Sequence, residues 1–286
     1  VPTGEFYRID TKLLVPRIDA STWSLTIDGL VDRPLTLRYD ELLARPLVER
    51  YVTIACVSNE VGGDLVGNAR WTGVPLVDLL DEVGVHDAAS QVIGRSFDGW
   101  TAGFPTLWLA GEGAGALVAV GMNGEPLTAD HGFPARLIVP GLFGYVSATK
   151  WLTQVELTTL DVDGYWIPLG WAKNGPILLQ SRIDVPRGGT VPVGQVAVAG
   201  VAWAPTRGIG AVEVQVDDGA WEPAGLGPAI SDETWVQWIY RWDAAPGDHV
   251  LRVRATDADG TLQEERRTSP APDGARGYHE RRVRVG

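Results

Sequence analysis

The chain has 286 residues, 45% of them hydrophobic, and a net charge of −12. Its length and hydrophobic content are those of one large or two medium globular domains, and they exclude a disordered chain. The excess of 36 acidic over 24 basic residues disfavours nucleic acid and anionic membranes as partners, and a single cysteine excludes an internal disulfide.

The first half of the chain mixes short strands with short helices. Apolar runs and alternation predict strands at 23–27, 35–38, 52–55, 91–97, 104–109, 116–122 and 137–139. Helices are predicted at 39–43, where the first turn is acidic, and at 75–83, where apolar residues recur at helical spacing before Gly84. Asn123-Gly124 is a hairpin signal. This mixture predicts an α+β fold.

The second half of the chain is predicted to be all-β. Strands are expected at 195–201, 211–216, 234–242, 249–256 and 281–285. Turn signals such as Pro246-Gly247 and Asp259-Gly260 separate them, and helical periodicity is almost absent. Short strands at this spacing predict a β-sandwich. The domain boundary is therefore placed near residue 174, giving domains at 1–174 and 175–286.

The chain's only cysteine lies at the junction between a strand and a loop. The buried strand at 52–55 delivers Cys56 to a segment rich in glycine and asparagine. One thiolate can supply one bond to a soft metal but cannot build a zinc or iron–sulfur site, so the metal would bring most of its own ligands. The alternative is that Cys56 is a small buried hydrophobe.

Three motifs in the same order resemble those of the sulfite oxidase family of molybdenum enzymes. They are Cys56 with Asn59 followed by the segment 67–73 (Gly-Asn-Ala-Arg-Trp-Thr-Gly), the segment 131–141 (His-Gly-Phe-Pro-Ala-Arg-Leu-Ile-Val-Pro-Gly), and Lys150-Trp151-Leu152. The resemblance covers essentially the whole chain. It implies an α+β sulfite-oxidase-type molybdopterin-binding domain at 1–174, followed at 175–286 by an all-β immunoglobulin-like sandwich that such relatives often use for dimer contacts.

The resemblance also implies a molybdenum–molybdopterin cofactor whose metal is bound by the Cys56 thiolate. Arg8 and Trp171 are the other residues expected to take part in catalysis. The residues expected to bind the cofactor are Tyr7, Arg8, Asn59, Ser96, Asp98, His131, Arg136, Gly144, Tyr145, Ser147 and Lys150. Simpler alternatives are a frayed terminus for Tyr7 and Arg8, a turn at the end of a strand for Ser96 and Asp98, and a solvated surface turn for His131 and Arg136.

Two departures from the family pattern bear on the substrate. Glu60 follows Asn59 where sulfite oxidases have an arginine that meets the substrate anion, and a carboxylate there would repel sulfite. Trp171 stands where the family's active-site tyrosine is expected, counting from Trp166. We therefore expect two-electron oxygen-atom transfer on a substrate other than sulfite, of the sulfoxide type. A true sulfite oxidase and a cofactor-free binding or scaffold protein are the alternatives.

The expected partners are a small-molecule substrate and a separate electron carrier, either a haem protein or a membrane carrier, because the chain has no Cys-x-x-Cys-His motif. The resemblance leaves open whether the protein forms a homodimer, and nucleic acid is not expected as a partner. The resemblance implies an extracytoplasmic location, with a membrane-anchoring segment outside this chain. A cytoplasmic location is the alternative.

Overall fold

The computed structural model describes residues 1–12 and 14–286, which form two compact units. The first unit contains Val1–Val57 and Gly67–Pro176, and the second contains Ser58–Val66 and Ile177–Gly286. The sequence-based boundary at 174 assigned Ser58–Val66 to the first domain. In the structure this segment belongs with the second unit, although Cys56 just before it belongs to the first.

The first unit is built from two sheets and three short α-helices, together with short turns of 3-10 helix. Its strands are β1 (Ser24–Gly29), β2 (Leu35–Arg38), β3 (Val48–Ala55), β4 (Val66–Pro75), β5 (Gln91–Ser96), β6 (Thr101–Pro105), β7 (Leu117–Met122), β8 (Glu125–Pro126), β9 (Arg136–Ile138) and β10 (Leu152–Thr158). Its helices are α1 (Tyr39–Leu43), α2 (Leu76–Val83) and α3 (Gly144–Ser147). One sheet has the order β2-β1-β10-β5-β6, with β1 and β10 parallel, and the other has the order β3-β4-β7-β8, with β9 added to β7.

Helix α2 forms where its apolar spacing predicts it. Leu76, Leu79, Leu80 and Val83 are all buried, so its apolar face packs on the core. The helix ends at Gly84, which has a φ of 70° that other residues rarely adopt.

Strands β4, β8 and β10 of the first unit were not predicted, and one prediction was wrong. The segment interpreted as a Gly- and Asn-rich loop after Cys56 contains the ten-residue strand β4, and β10 forms the middle of the other sheet. Gly73 of β4 lies so close to β7 that a Cβ there would be 2.3 Å from the Val118 carbonyl oxygen. The predicted strand at 104–109 is wrong, because β6 ends at Pro105 and a 3-10 helix, Thr106–Ala110, follows.

The second unit is a sandwich of two sheets. Its strands are β11 (Gln180–Val185), β12 (Gly189–Val191), β13 (Gly194–Trp203), β14 (Ile209–Val216), β15 (Trp221–Pro223), β16 (Gly225–Leu226), β17 (Val236–Ala244), β18 (Gly247–Asp257) and β19 (His279–Val285). The sheets have the orders β11-β13-β17-β16 and β12-β19-β18-β14-β15. Inward-facing residues of both sheets, among them Ile183, Trp238 and Val253, share one core.

The segment Ser58–Val66 is attached to this sandwich by side chains of β11 and β19. Arg182 Nη1 donates to the Gly63 carbonyl oxygen at 2.7 Å. The His279 ring lies against Gly62, where a Cβ would be 2.2 Å from His279 Cδ2. His279 Nδ1 in turn accepts a hydrogen bond from the Ile183 amide at 2.9 Å. These contacts explain why the segment belongs to the second unit.

Within residues 1–12 and 14–286, no helix combines the length and the apolar character that a membrane crossing requires.

Candidate functional site

Cys56 is a free, half-buried thiol immediately after β3. Helix α3 begins nearby, since a Cβ on Gly144 would lie 3.8 Å from the Ala55 carbonyl oxygen. Among the residues that the structure describes, no group of three or more His, Cys, Asp or Glu side chains is placed to hold a metal ion. A metal on Cys56 would therefore need ligands from a cofactor.

Arg136, on β9, is a buried cation that the chain satisfies only in part. Its side chain lies 5.0 Å from the centre of the Trp71 ring, and Nη1 donates to the His131 carbonyl oxygen at 3.2 Å. Its Nε is buried without a hydrogen-bond partner, and no carboxylate of the described chain pairs with it. Burial lowers the pKa of Arg136 to about 10. A buried guanidinium with an unused donor is suited to an anionic ligand.

Lys150 and Arg8 share the carboxylate of Asp10. Lys150 Nζ contacts Asp10 Oδ1 and lies 3.1 Å from the Asp130 carbonyl oxygen. Arg8 donates through Nε to Asp10 at 2.5 Å and through Nη1 to the Asp130 carboxylate at 2.8 Å. Burial lowers the pKa of Lys150 to about 8, and the bond to Asp10 partly offsets this effect. The structure thus brings together two of the predicted cofactor-binding cations.

His131 is buried, and its imidazole holds the N-terminal segment. Its Nε2 lies 2.9 Å from the Thr3 carbonyl oxygen, so this nitrogen carries the proton and donates. Its ring packs edge-on against Phe6, with ring centres 5.9 Å apart. Burial lowers the pKa of His131, which favours the neutral imidazole.

Tyr7 lies in the same segment as Arg8 and Asp10 and packs on Phe6. Its ring stacks on Phe6 at 5.2 Å. Burial raises the pKa of the Tyr7 phenol, the nearby Cys56 raises it further, and Arg136 opposes both. The Tyr7 side chain is therefore expected to be the neutral phenol, which can donate a hydrogen bond.

Ser96 and Asp98 differ in what their side chains do. The Ser96 hydroxyl at the end of β5 is buried and has no hydrogen-bond partner. Asp98 Oδ1 accepts a hydrogen bond from the Trp100 amide at 3.2 Å and so stabilises the turn after β5. Of these two side chains, Ser96 is therefore the one with a buried polar group that has no partner.

Helix α3 carries Tyr145, whose ring belongs to a cluster of aromatic side chains. The Tyr145 hydroxyl donates to the Ala172 carbonyl oxygen at 2.5 Å, and its ring lies 5.9 Å from that of the half-buried Trp171. Trp171 packs edge-on against Trp166 at 6.4 Å. The Ser147 hydroxyl donates to the Phe143 carbonyl oxygen at 3.0 Å within the helix itself. Tyr145 and Trp171 thus form an aromatic wall close to α3.

Asn59 and Glu60 belong to the second unit. Asn59 is buried, and its Oδ1 accepts a hydrogen bond from the Leu65 amide at 2.9 Å, which closes the Ser58–Val66 loop. Glu60 is exposed. The side-chain oxygen of Asn59 is therefore used within its own loop.

Sequence reasoning missed Asp10 and gave Trp71 no specific role. Asp10 lies in the same segment as Tyr7 and Arg8, and the spacing Arg8-x-Asp10 between opposite charges was a usable signal. Trp71 was named only as part of the motif at 67–73, yet it lies fully buried beneath Arg136.

Comparison with known proteins places this site in a family. The domain family described as "Oxidoreductase molybdopterin binding domain" matches residues 12–166. The chain belongs to this family. It is a molybdopterin-dependent oxidoreductase of the sulfite oxidase family, as the motifs around Cys56 and His131 predicted.

Among its relatives, the uncharacterized oxidoreductase YuiH of Bacillus subtilis is 36% identical over 157 residues, which cover 55% of this chain and 76% of YuiH. Mitochondrial sulfite oxidase of Macaca fascicularis is 31% identical over 258 residues, covering 75% of this chain and 47% of the relative. The chain thus spans about half the length of that sulfite oxidase. The crystal structure of the sulfane dehydrogenase SoxCD from Paracoccus pantotrophus superposes with a TM-score of 0.75 at 24% identity, over 88% of this chain and 71% of that one. This likeness shows a shared fold.

The residues present fit a molybdopterin cofactor. Arg136 Nε and the Ser96 hydroxyl are buried donors without partners, which suits a ligand with a phosphate and many polar atoms. The single thiol of Cys56 suits a metal whose other ligands come from the pterin. The roles of the individual residues remain predictions.

Proposed function

We propose that this oxidoreductase transfers an oxygen atom from a small uncharged substrate of the sulfoxide type. In such a reaction the sulfoxide takes up two electrons and two protons, its S–O bond breaks, and sulfide and water leave. The observation that carries this proposal is Glu60, an exposed carboxylate four residues after Cys56 where the family pattern places an arginine. A carboxylate disfavours an anionic substrate such as sulfite but not an uncharged one.

We propose that Cys56 binds the molybdenum, that Arg136 and Lys150 bind the phosphate of the pterin, and that Tyr7 and Ser96 donate hydrogen bonds to it. The bound cofactor supplies the two-electron redox chemistry. The chain supplies binding and orientation, since the Arg136 guanidinium is already fixed over Trp71 and has a free donor. His131 contributes by holding Thr3, and with it the segment that carries Tyr7 and Arg8.

We also propose that Trp171 and Tyr145 form one wall of the substrate pocket. Their rings are in contact, and the Tyr145 hydroxyl is engaged with Ala172, so this wall presents mainly apolar surface. Such a surface suits the alkyl groups of a sulfoxide and limits water at the reacting atoms. Asp98 and Ser147 stabilise their own turn and helix through Asp98 Oδ1 and the Ser147 hydroxyl, and Asn59 Oδ1 closes its own loop, so we give these three and Gly144 a structural role.

The remaining proposals concern the whole protein. We propose that the two-sheet second unit is an immunoglobulin-like domain that can form a homodimer. We propose that electrons come from a separate haem protein or membrane carrier and that the protein works outside the cytoplasm. These proposals rest on the family resemblance and on the sandwich architecture.

The substrate proposal is tested on one preparation of the full chain. Reduction of an alkyl sulfoxide by a dithionite-reduced viologen dye is compared with oxidation of sulfite by ferricyanide. We expect the sulfoxide to be reduced and sulfite to turn over poorly. Rapid sulfite oxidation without sulfoxide reduction would instead support the sulfite oxidase alternative.

The variant Glu60→Arg isolates the role of the carboxylate. Replacing a negative by a positive charge should raise kcat/KM for sulfite by roughly tenfold or more. Glu60→Gln, which only removes the charge, serves as the matched control and should give a smaller increase. An unchanged kcat/KM in both variants would show that Glu60 does not set the substrate preference.

A further inference from the structure

The N-terminal segment, residues 1–10, is attached to the first unit at many points. The Val1 amino group donates to the Asn68 carbonyl oxygen at 2.7 Å. Asn123 Nδ2 donates to the Val1 carbonyl oxygen at 3.0 Å and to Thr3 Oγ1 at 3.1 Å. His131 holds the Thr3 carbonyl oxygen. These hydrogen bonds hold the first part of the segment in place. Its last residue, Asp10, lies next to Arg8 and Lys150.

That last residue, Asp10, is a buried carboxylate with two cationic partners. Its side chain is only 6% exposed. Oδ2 accepts a hydrogen bond from Arg8 Nε at 2.5 Å, and Oδ1 contacts the ammonium group of Lys150, whose side chain is 13% exposed. The negative charge of Asp10 also reaches Arg136, where it counteracts the effect of burial on the pKa of the guanidinium.

The other carboxylate near these cations differs from Asp10. The Asp130 side chain is 53% exposed and pairs only with Arg8, while Lys150 contacts the Asp130 backbone carbonyl. Among the described residues, Asp10 is therefore the one buried carboxylate paired with Lys150. A phosphate that approached Lys150 with Asp10 in place would meet a like charge at close range, in surroundings where charges are weakly screened.

We propose that Asp10 is an internal counter-ion of the phosphate site. Before the cofactor binds, its carboxylate neutralises Lys150 and Arg8 and holds them close together. When the phosphate arrives, it competes with Asp10 for these two cations and displaces the carboxylate, while the contacts of Val1, Thr3 and Phe6 keep the rest of the segment in place. This inference rests on the proposed role of Lys150 in cofactor binding.

A purely structural ion pair would behave differently. If Asp10 only oriented Lys150, removing its charge would loosen the ammonium group and weaken anion binding. If Asp10 competes with the anion, removing its charge strengthens anion binding. The two roles therefore predict opposite changes in the affinity for phosphate when the charge of Asp10 is removed.

The test uses the full chain, purified from a host that cannot make molybdopterin, and measures the binding of inorganic phosphate by calorimetry. We expect Asp10→Asn to bind phosphate about tenfold more tightly than the unaltered chain. Asp10→Glu, which keeps the charge, and Asp130→Asn, which alters the exposed neighbour, should both stay close to the unaltered chain. Unchanged or weaker phosphate binding by Asp10→Asn would overturn the proposal.

Hydrogen exchange on the unaltered chain gives a second readout that requires no variant. Saturating phosphate should speed exchange of the amides at 8–12 while those at 3–6 stay protected. Equal exchange at 8–12 with and without phosphate would overturn the displacement. Neither measurement requires molybdenum. If the protein purified from a host that makes molybdopterin contained no metal or pterin, the proposed function would fail, whereas the role of Asp10 is decided by the phosphate measurements alone.

Discussion

At the scale of single residues, the site contains polar groups that the rest of the chain leaves unsatisfied. Arg136 Nε and the Ser96 hydroxyl are buried without partners, and no carboxylate of the described residues forms an ion pair with Arg136. A buried, unpaired guanidinium costs stability unless a ligand supplies the missing charge. The chain without cofactor is therefore less stable at this point than the loaded enzyme.

This cost gives a prediction for Arg136→Met. Because an apolar side chain of similar length removes the buried charge, the variant should be more stable than the unaltered chain when both lack cofactor, by about 1–3 kcal/mol in the free energy of unfolding. The same variant should retain little pterin when made in a host that supplies it. Urea unfolding and the fluorescence of released, oxidised pterin measure the two effects.

The matched control is Arg95→Met. Arg95 is partly exposed and pairs with Glu156 on the neighbouring strand, so its replacement should leave the pterin content unchanged. Full pterin content in Arg136→Met, or a loss of stability without cofactor, would contradict the role given to Arg136.

A second residue prediction concerns Cys56. In Cys56→Ser the protein should fold and keep pterin through the Arg136 and Lys150 contacts, but its turnover should be lost because oxygen is a harder ligand than sulfur. Ser58→Ala, an exposed change two residues away, should keep full turnover. Turnover by Cys56→Ser at the rate of the unaltered enzyme would refute the ligand assignment.

At the scale of elements, strands β18 and β19 each carry a histidine whose pKa is shifted, and the two shifts have opposite directions. Burial lowers the pKa of His279 on β19 to about 4, and nearby arginines add to the shift. The hydrogen bond to Asp217, at 2.8 Å, raises the pKa of His249 on β18. A lowered pKa means that the folded state binds the proton less readily, and a raised pKa means the reverse.

The two histidines therefore give predictions of opposite sign. The stability that His279 contributes should be complete above the ordinary pKa of about 6.5 and be lost as pH falls toward 4. The stability that His249 contributes should be complete below about 6.5 and be lost as pH rises through its raised value. Urea unfolding of His279→Gln and His249→Gln at several pH values tests this, since effects common to all variants cancel in the differences. If the loss of unfolding free energy in both variants changed in the same direction with pH, the two assignments could not both be right.

The elements that the sequence predicted well are those with strong local signals. Helix α2 has four apolar residues at helical spacing and a glycine end, and the turn at Asn123-Gly124 has the positive φ angles that this pair favours. Strand β4 was missed because its glycines and asparagine resemble a loop. The close approach of β7 to Gly73 is a tertiary requirement that local pattern cannot express.

Site residues that lie within sequence motifs could be predicted, whereas contacts between residues far apart in the sequence could not. Cys56, His131, Arg136 and Lys150 lie in motifs, and the structure places the last three beside the N-terminal segment. Asp10 meets Lys150 across 140 residues of sequence, so no local pattern could pair them. The use of the Asn59 side chain within its own loop likewise became visible only in the fold.

At the scale of the whole molecule, the second unit is a sandwich with its own core, joined by the segment Ser58–Val66 from the first half of the chain. Residues 177–286 expressed alone should therefore fold, give an all-β circular dichroism spectrum and bind no molybdenum. Because this fragment lacks Gly62, the His279 ring should be less buried and its pKa should rise from about 4 toward the ordinary value. An NMR titration of His279 measures this, and a fragment that remains unfolded would show that Ser58–Val66 is indispensable.

The central claim is that this chain holds molybdenum through Cys56 and a pterin bound by the cluster around Arg136. The most direct test is the molybdenum content of the full chain, measured by mass spectrometry after purification from a host that makes molybdopterin. The account predicts molybdenum equimolar with the chain. A folded protein that contains no molybdenum under these conditions would contradict it.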